Sequence, residues 1–346
     1  MNSITMRAPV VAAKRDRSFW LQSIAADPVT APLSGQHQCD IAIVGGGYAG
    51  LWTALRLREQ DPEARITILE ADFCGSGASG RNGGQVHSWF AEIDILRDLV
   101  GDEDARMLCQ ATCDAIEELK VLQDCGIIDM DLRLDGWLWT ASSLAQERAW
   151  AKAVDICRRS GVNPFKTLNA HDIERRTGST ASYVGIVEER AGTVQPAKLA
   201  LGLRKLAMAK GIVIHERSPV LEMVLGERPE LKTPDGTLTA NKVALTVNAW
   251  ASAIPELHPY LYVVSSQLIA TAPAPNILER IGWTDGASIC DAQHHVLYYQ
   301  RTTSDQVVFG RGTGGIAYND RIDARFNRGS DGGADNIRKL HRVYPQ

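Results

Sequence analysis

Three glycines in one turn, Gly45, Gly47 and Gly50, and an acid one strand later, Glu70, have the types and spacing that do chemistry. Together they suit a dinucleotide. Gly45 allows a tight turn after a strand, Gly47 lets the backbone approach a pyrophosphate, and Gly50 lets the following helix pack close to the strand. The first residues of that helix, Tyr48 and Ala49, present free N–H groups and the positive dipole end to phosphates. Glu70 sits about 20 residues past the last glycine, where a carboxylate accepts from ribose hydroxyls. Its charge repels a 2′-phosphate, which disfavours NADP. A plain strand-to-helix turn does not explain the three glycines and the acid together.

Little else in the chain has a catalytic pattern. There is no Ser/His/Asp or Cys/His constellation. Cys109 and Cys113 share a helical face without a nearby His or third Cys, so no metal is expected. In the run His295-Val296-Leu297-Tyr298-Tyr299-Gln300-Arg301, period two puts His295, Leu297, Tyr299 and Arg301 on one face. Tyr299 with Arg301 would bind a carboxylate, the arginine by a bidentate fork. His87 follows a second glycine-dense stretch. Packing explains Trp137 and Trp139 better than an aromatic substrate wall does.

These residues need elements to hold them. Ile41, Ile43 and Val44 read as a buried strand, Tyr48 opens a helix, and Ile66 to Glu70 reads as the second strand. A helix is expected from Asp102 to Asp124, stopped at Gly126. A second is expected from Leu144 to Ser160 with Gly161 as its cap, and a third from Pro196 to Lys210 before Gly211. Strands are expected at Gly136 to Thr140, Val184 to Val187, Ile212 to His215, Val220 to Val224 and Lys242 to Val247, with Asp235-Gly236 as a hairpin turn. Tyr262 to Gly310 is strand-rich, and a helical pattern starts near Gly333. Ser18 to Leu21 is apolar enough to dock onto the body.

The chain has 346 residues, 45% of them hydrophobic, which suits roughly two domains. A net charge of −4 with mixed signs argues against nucleic acid or an anionic membrane surface as partner. The cluster Lys14-Arg15-Asp16-Arg17 reads as a solvated tail. Met1 to Ala13 lacks the apolar core of a signal peptide, and no stretch is long enough for a membrane span. Seven dispersed cysteines suit a reducing, cytoplasmic compartment.

The stretch Ala78-Ser79-Gly80-Arg81-Asn82-Gly83-Gly84-Gln85 behind Glu70 resembles FAD-dependent oxidoreductases of the D-amino-acid oxidase and glycine oxidase superfamily. So do Gly192-Thr193-Val194-Gln195-Pro196 and Leu245-Thr246-Val247-Asn248-Ala249-Trp250. The resemblance covers about Ser18 to Gly310. Arg81 to Gln85 with Asn248-Ala249-Trp250 looks most like the gamma-glutamylputrescine oxidoreductase-like branch. Asn248 stands where the family has glycine, and Asn is the side chain that best tolerates positive φ.

The resemblance implies an α/β fold, a Rossmann-like FAD domain interleaved with an antiparallel-sheet substrate domain. Residues 38–100 and 194–255 would form the first, 101–193 and 256–310 the second, with 1–37 an extension and 311–346 a return helix. It implies FAD contacts at Gly45, Gly47, Tyr48, Ala49, Gly50, Glu70, Ala71, Ser79, Arg81, Asn82, Gly83, Gly84, Gln85, Val220, Asn248 and Trp250. Tyr299, Arg301 and His87 would lie on the substrate side. The implied reaction is oxidation of the C–N bond of an amine or amino acid by hydride transfer to flavin N5, the imine then hydrolysing. A neutral amine needs no strong general base, and the electron acceptor is open. The family closes with a flavin-capping turn and last helix that are not seen here, so a truncated, inactive flavoprotein is one alternative. A NAD-dependent dehydrogenase is the other.

Overall fold

The computed structural model describes residues 3–6, 18–312, 314–316, 322 and 331–345. The basic cluster at 14–17 lies outside them, as does most of 313–330. The chain divides into two compact units. One comprises residues 1–82, 196–265 and 315–328; the other comprises 83–195, 266–314 and 329–346. The sequence reading placed the crossings instead at 100/101, 193/194 and 255/256.

The first unit is built on a sheet whose seven described strands run in the order Ser3–Thr5, Glu222–Val224, Glu230–Lys232, Gly236–Leu245, Gly35–Val44, Ile66–Leu69, Val213–His215. The last four are mutually parallel, and the others pair antiparallel. Ala42, Ile43 and Val44 and all of Ile66–Leu69 are buried, as strands covered on both faces must be. The helix Tyr48–Gln60 connects these two strands and buries Gly50, Leu51, Ala54 and Leu55, one stripe at helical spacing. The helix Pro196–Ala209 opens on a proline whose missing N–H costs nothing there, and it ends before Gly211 at φ +75°.

That helix is tied to the sheet by a buried ion pair. Arg204, 5% exposed, donates to both oxygens of Glu216, which is 1% exposed, at 3.0 and 2.8 Å. Glu216 also accepts from the backbone N–H of Thr30 and Cys74. Every oxygen of the buried carboxylate is therefore satisfied, which such a pair requires.

The second unit carries a sheet ordered Leu268–Ala270, Val307–Arg311, Leu297–Arg301, Ser288–Asp291, Trp137–Ala141, Val184–Glu188, Phe165–Asn169. It is antiparallel except where Ser288–Asp291 runs parallel to Trp137–Ala141. One core cluster holds Phe90, Ile93, Trp137, Trp150 and Ile156, and another holds Trp283, Leu297, Tyr299 and Phe309. The helix Asp102–Asp124 begins with three acids in its first turn, favourable to its dipole, and Gly126 follows its end at φ +68°.

Several expectations need correction. Residues 144–150 form turns, and the helix there is only Ala151–Arg159. Val220 precedes its strand, which starts at Glu222. His295 sits in a turn, since its strand starts at Leu297. The stretch before residue 38 is no mere extension: Ser3–Thr5 and Gly35 onward are sheet strands, and Trp20 and Leu21 are buried.

Candidate functional site

The glycine turn has the backbone its composition requires. Gly45 has φ +108°, and a Cβ there would lie 2.6 Å from the Thr246 carbonyl oxygen. A Cβ on Gly50 would lie 2.0 Å from the Gly45 carbonyl oxygen, so only glycine lets this helix start so close to its strand. Gly47 is the helix N-cap and offers no side chain. Ser79 instead reaches back, its Oγ accepting from the Tyr48 N–H at 2.9 Å. The Tyr48 hydroxyl donates to the Pro196 carbonyl at 2.8 Å. The next two N–H groups, of Ala49 and Gly50, have no acceptor among the described residues. They are the donors an anion at a helix N-terminus would take.

Glu70 stands beside this turn. Its Oε2 accepts from the Gly46 N–H at 2.6 Å and its Oε1 from the Asp72 N–H at 2.9 Å. Burial pushes its carboxyl above the ordinary value against the pull of those two N–H groups. Ala71 follows half-buried. Arg81 Nε donates to the Ser76 carbonyl at 2.6 Å, and desolvation lowers the guanidinium's pKa against the attraction of Asp72. The Asn82 side-chain amide donates to the carbonyls of Ala78 and Ser79, while the Asn82 backbone carbonyl accepts from Trp20 Nε1 at 2.8 Å.

Asn248 adopts φ +48°, the left-handed backbone that glycine takes freely and that Asn tolerates best among the other residues. Two residues on, Trp250 Nε1 is buried with no hydrogen-bond partner among the described residues. Val220 is buried in the core beside Val44 and Leu69. A helix N-terminus with two N–H groups left over among the described residues, a turn only glycine can make, a strand-end acid and an orphaned indole N–H together fit a bound dinucleotide.

In the second unit, Gly83 and Gly84 lead into Gln85–Val86, which pairs with Gly192–Thr193. Gly84 has φ +67°. A Cβ on Gly83 would lie 2.9 Å from the Tyr298 ring, and Gln300 Nε2 donates to the Gly83 carbonyl at 2.5 Å. The strand Leu297–Arg301 therefore turns Tyr298 and Gln300 towards the glycine loop.

The expected face points the other way. Tyr299 is 6% exposed, packed against Trp283, Phe309 and Tyr344. Arg301 is engaged by Asp305 at 3.0 and 2.5 Å and by the Trp283 carbonyl. Both side chains are engaged by other residues of the protein. Period two gives two faces; which of them meets Trp283 and Tyr344 depends on elements outside the strand. His87 stacks on Trp137 with centroids 4.7 Å apart and planes at 17°. Tyr298 and Gln300, on the face the sequence reading did not single out, are the two that meet the glycine loop, and Gly83 and Gly310 both lie flush against the Tyr298 ring. Among the described residues no group of three His, Cys, Asp or Glu could hold a metal, and no helix is long and apolar enough to cross a membrane.

Comparison with known proteins places this geometry. The probable oxidoreductase OrdL of Haemophilus influenzae is 27% identical over 305 residues, covering 85% of this chain and 69% of that protein. The gamma-glutamylputrescine oxidoreductase of Escherichia coli is 29% identical over 286 residues, 82% of this chain and 66% of its own length. Among solved structures, glycine oxidase from Bacillus cereus superposes with a TM-score of 0.67 at 16% identity, covering 89% of this chain and 78% of that one. The family described as FAD dependent oxidoreductase, DAO, matches residues 40–346, a span holding the glycine turn, Glu70 and the loop at Gly83. The chain belongs to this family of FAD-dependent oxidoreductases, and its cofactor is FAD rather than NAD.

Proposed function

We propose that the chain oxidises the C–N bond of an amine or amino acid. The observation that carries this is the 29% identity over 82% of the chain to an enzyme named for gamma-glutamylputrescine. Bound FAD supplies the two-electron acceptor, and the protein supplies position and electrostatics.

In this reading the first unit is the Rossmann-like cofactor unit and the second takes the substrate. Ala49 and Gly50 donate their N–H groups to the pyrophosphate, Glu70 accepts from the ribose, and Val220 borders the adenine. Ser79, Arg81, Asn82, Asn248 and Trp250 line the cofactor, and Gly83, Gly84 and Gln85 run along its flavin end. Tyr298 and Gln300, which face Gly83, are the substrate-side candidates in place of Tyr299 and Arg301. The Tyr298 hydroxyl, 3.0 Å from Ser266 Oγ, is oriented to bind a polar substrate group. Seven free cysteines support a cytoplasmic location.

The test is anaerobic mixing of the FAD-loaded chain with a panel of amines and amino acids. Bleaching of the flavin band near 450 nm, on the order of full reduction by one substrate class, is expected. Stoichiometric FAD that no amine or amino acid reduces would overturn the proposal.

A further inference from the structure

Cys290 has no part in the chemistry above, yet it occupies a directional position. Trp137 Nε1–H donates to its sulfur at 3.3 Å, and its S–H donates to Gln85 Oε1 at 3.3 Å. Gln85 Nε2 in turn donates to the Ile289 carbonyl at 3.4 Å. Trp137 and Cys290 lie on the adjacent parallel strands of the second sheet. Gln85 lies directly behind Gly83 and Gly84. Burial raises the thiol to about 11, so the proton it donates is present at neutral pH.

The order of donors along this chain is fixed at one end. An indole N–H can only donate, so the sulfur must accept from it. The S–H is then left to point at Gln85, which must meet it with oxygen. With the Ile289 carbonyl taking Nε2–H, the S–H helps hold the amide's orientation, leaving one lone pair on Oε1 and one N–H on Nε2 uncommitted among the described residues. A small apolar residue would fill the same space, since a buried cysteine packs as a small hydrophobe. It would leave the Ile289 carbonyl as the only group holding the Gln85 amide by a hydrogen bond among the described residues.

We propose that Cys290 is a positioning residue that fixes the Gln85 carboxamide for the cofactor. This rests on the reading that residues 83–85 border the flavin end of FAD. The experiment uses the full chain with FAD and four variants: Cys290→Ala, Cys290→Ser, Gln85→Ala and the Gln85→Ala/Cys290→Ala double. FAD dissociation constants come from apoprotein titration, and flavin midpoint potentials from reductive titration. Cys290→Ala should weaken FAD on the order of tenfold, about one well-made hydrogen bond, and shift the potential. Cys290→Ser, which keeps acceptor and donor, should restore both. The double variant should be no worse than Gln85→Ala, because the two residues act as one. Multiplying effects, or a Cys290→Ala protein with native affinity and potential, would overturn the proposal.

A second measurement needs neither cofactor nor turnover. The Trp137 indole N–H resonance of the apoprotein should move in Gln85→Ala as well as in Cys290→Ala, and stillness in Gln85→Ala would overturn the relay. If the unsubstituted chain takes up no FAD, the cofactor reading fails by itself, and this resonance still decides the relay.

Discussion

At the residue scale, Gly50 and Glu70 make opposite demands on substitution. Gly50 has no room: a methyl group would meet the Gly45 carbonyl at 2.0 Å, and that atom is backbone in a turn that cannot yield. Gly50→Ala should cost about 1–3 kcal/mol in urea denaturation, as overpacking does, and FAD binding should fall with it. Gly226, with nothing within 4 Å of its would-be Cβ, is the control, and Gly226→Ala should change neither. Glu70 has chemistry to lose instead. Its carboxylate must be ionised to accept from ribose hydroxyls with full strength, and burial has raised its pKa above 4.5. FAD affinity should therefore fall on acidification with an apparent pKa above 4.5, and Glu70→Gln should abolish that pH dependence. In the apoprotein the sign reverses: a raised folded pKa gives stability below the unfolded value that is lost as pH rises through the folded one.

At the element scale, the Arg204–Glu216 pair joins a helix to the end of a strand and to the backbone at Thr30 and Cys74. Arg204→Met would strand a buried carboxylate, at a cost of about 3–5 kcal/mol by denaturation, while Arg204→Met with Glu216→Met should recover only part of it, because the Thr30 and Cys74 N–H groups lose their acceptor. Burial works to raise the Glu216 pKa, but Arg204 and the two N–H groups hold it below 4.5. A depressed folded pKa stabilises above the unfolded value, so this contribution is lost as pH falls below 4.5 and through the folded pKa. Acid melting curves of Glu216→Gln should lack that limb.

Such long-range ties explain what the sequence did and did not disclose. The turn at Gly45–Gly50 and the helix Asp102–Asp124 were legible because their causes are local: glycine spacing, apolar period, a stopping glycine. Asn248 was noted as tolerant of positive φ only through the resemblance, and the structure gives it φ +48°. Ser3–Thr5 and Glu230–Lys232 were not, because three-residue strands exist only through their partners. Leu144 to Trp150 carries a helical composition but forms turns, and the structure offers no single contact that explains it. The packing of Tyr299 on Trp283 and Tyr344 was not legible, because alternation reveals that faces differ, not which one those two rings will cover.

At the scale of the whole molecule, each unit is assembled from segments that the other interrupts in sequence. The parallel register of Gly35–Val44 with Gly236–Leu245 extends over nearly the full length of both strands, and Thr246 bonds back across 202 residues to Val44. Ser3–Thr5 waits for Glu222–Val224, and Trp137–Ala141 waits for Ser288–Asp291. On a ribosome, which delivers the chain in one direction, neither sheet can close as it emerges. Ile41 to Val44 and Ile66 to Leu69, apolar and unpaired on one side, must be kept from other chains throughout that interval. Long-range pairing of this kind is slow because loop entropy is lost before contacts reward it. A nascent chain arrested before Gly236 should thus be cut by protease as readily as an unfolded one. One arrested well beyond Ile316, with the first unit's partners all outside the exit tunnel, should resist.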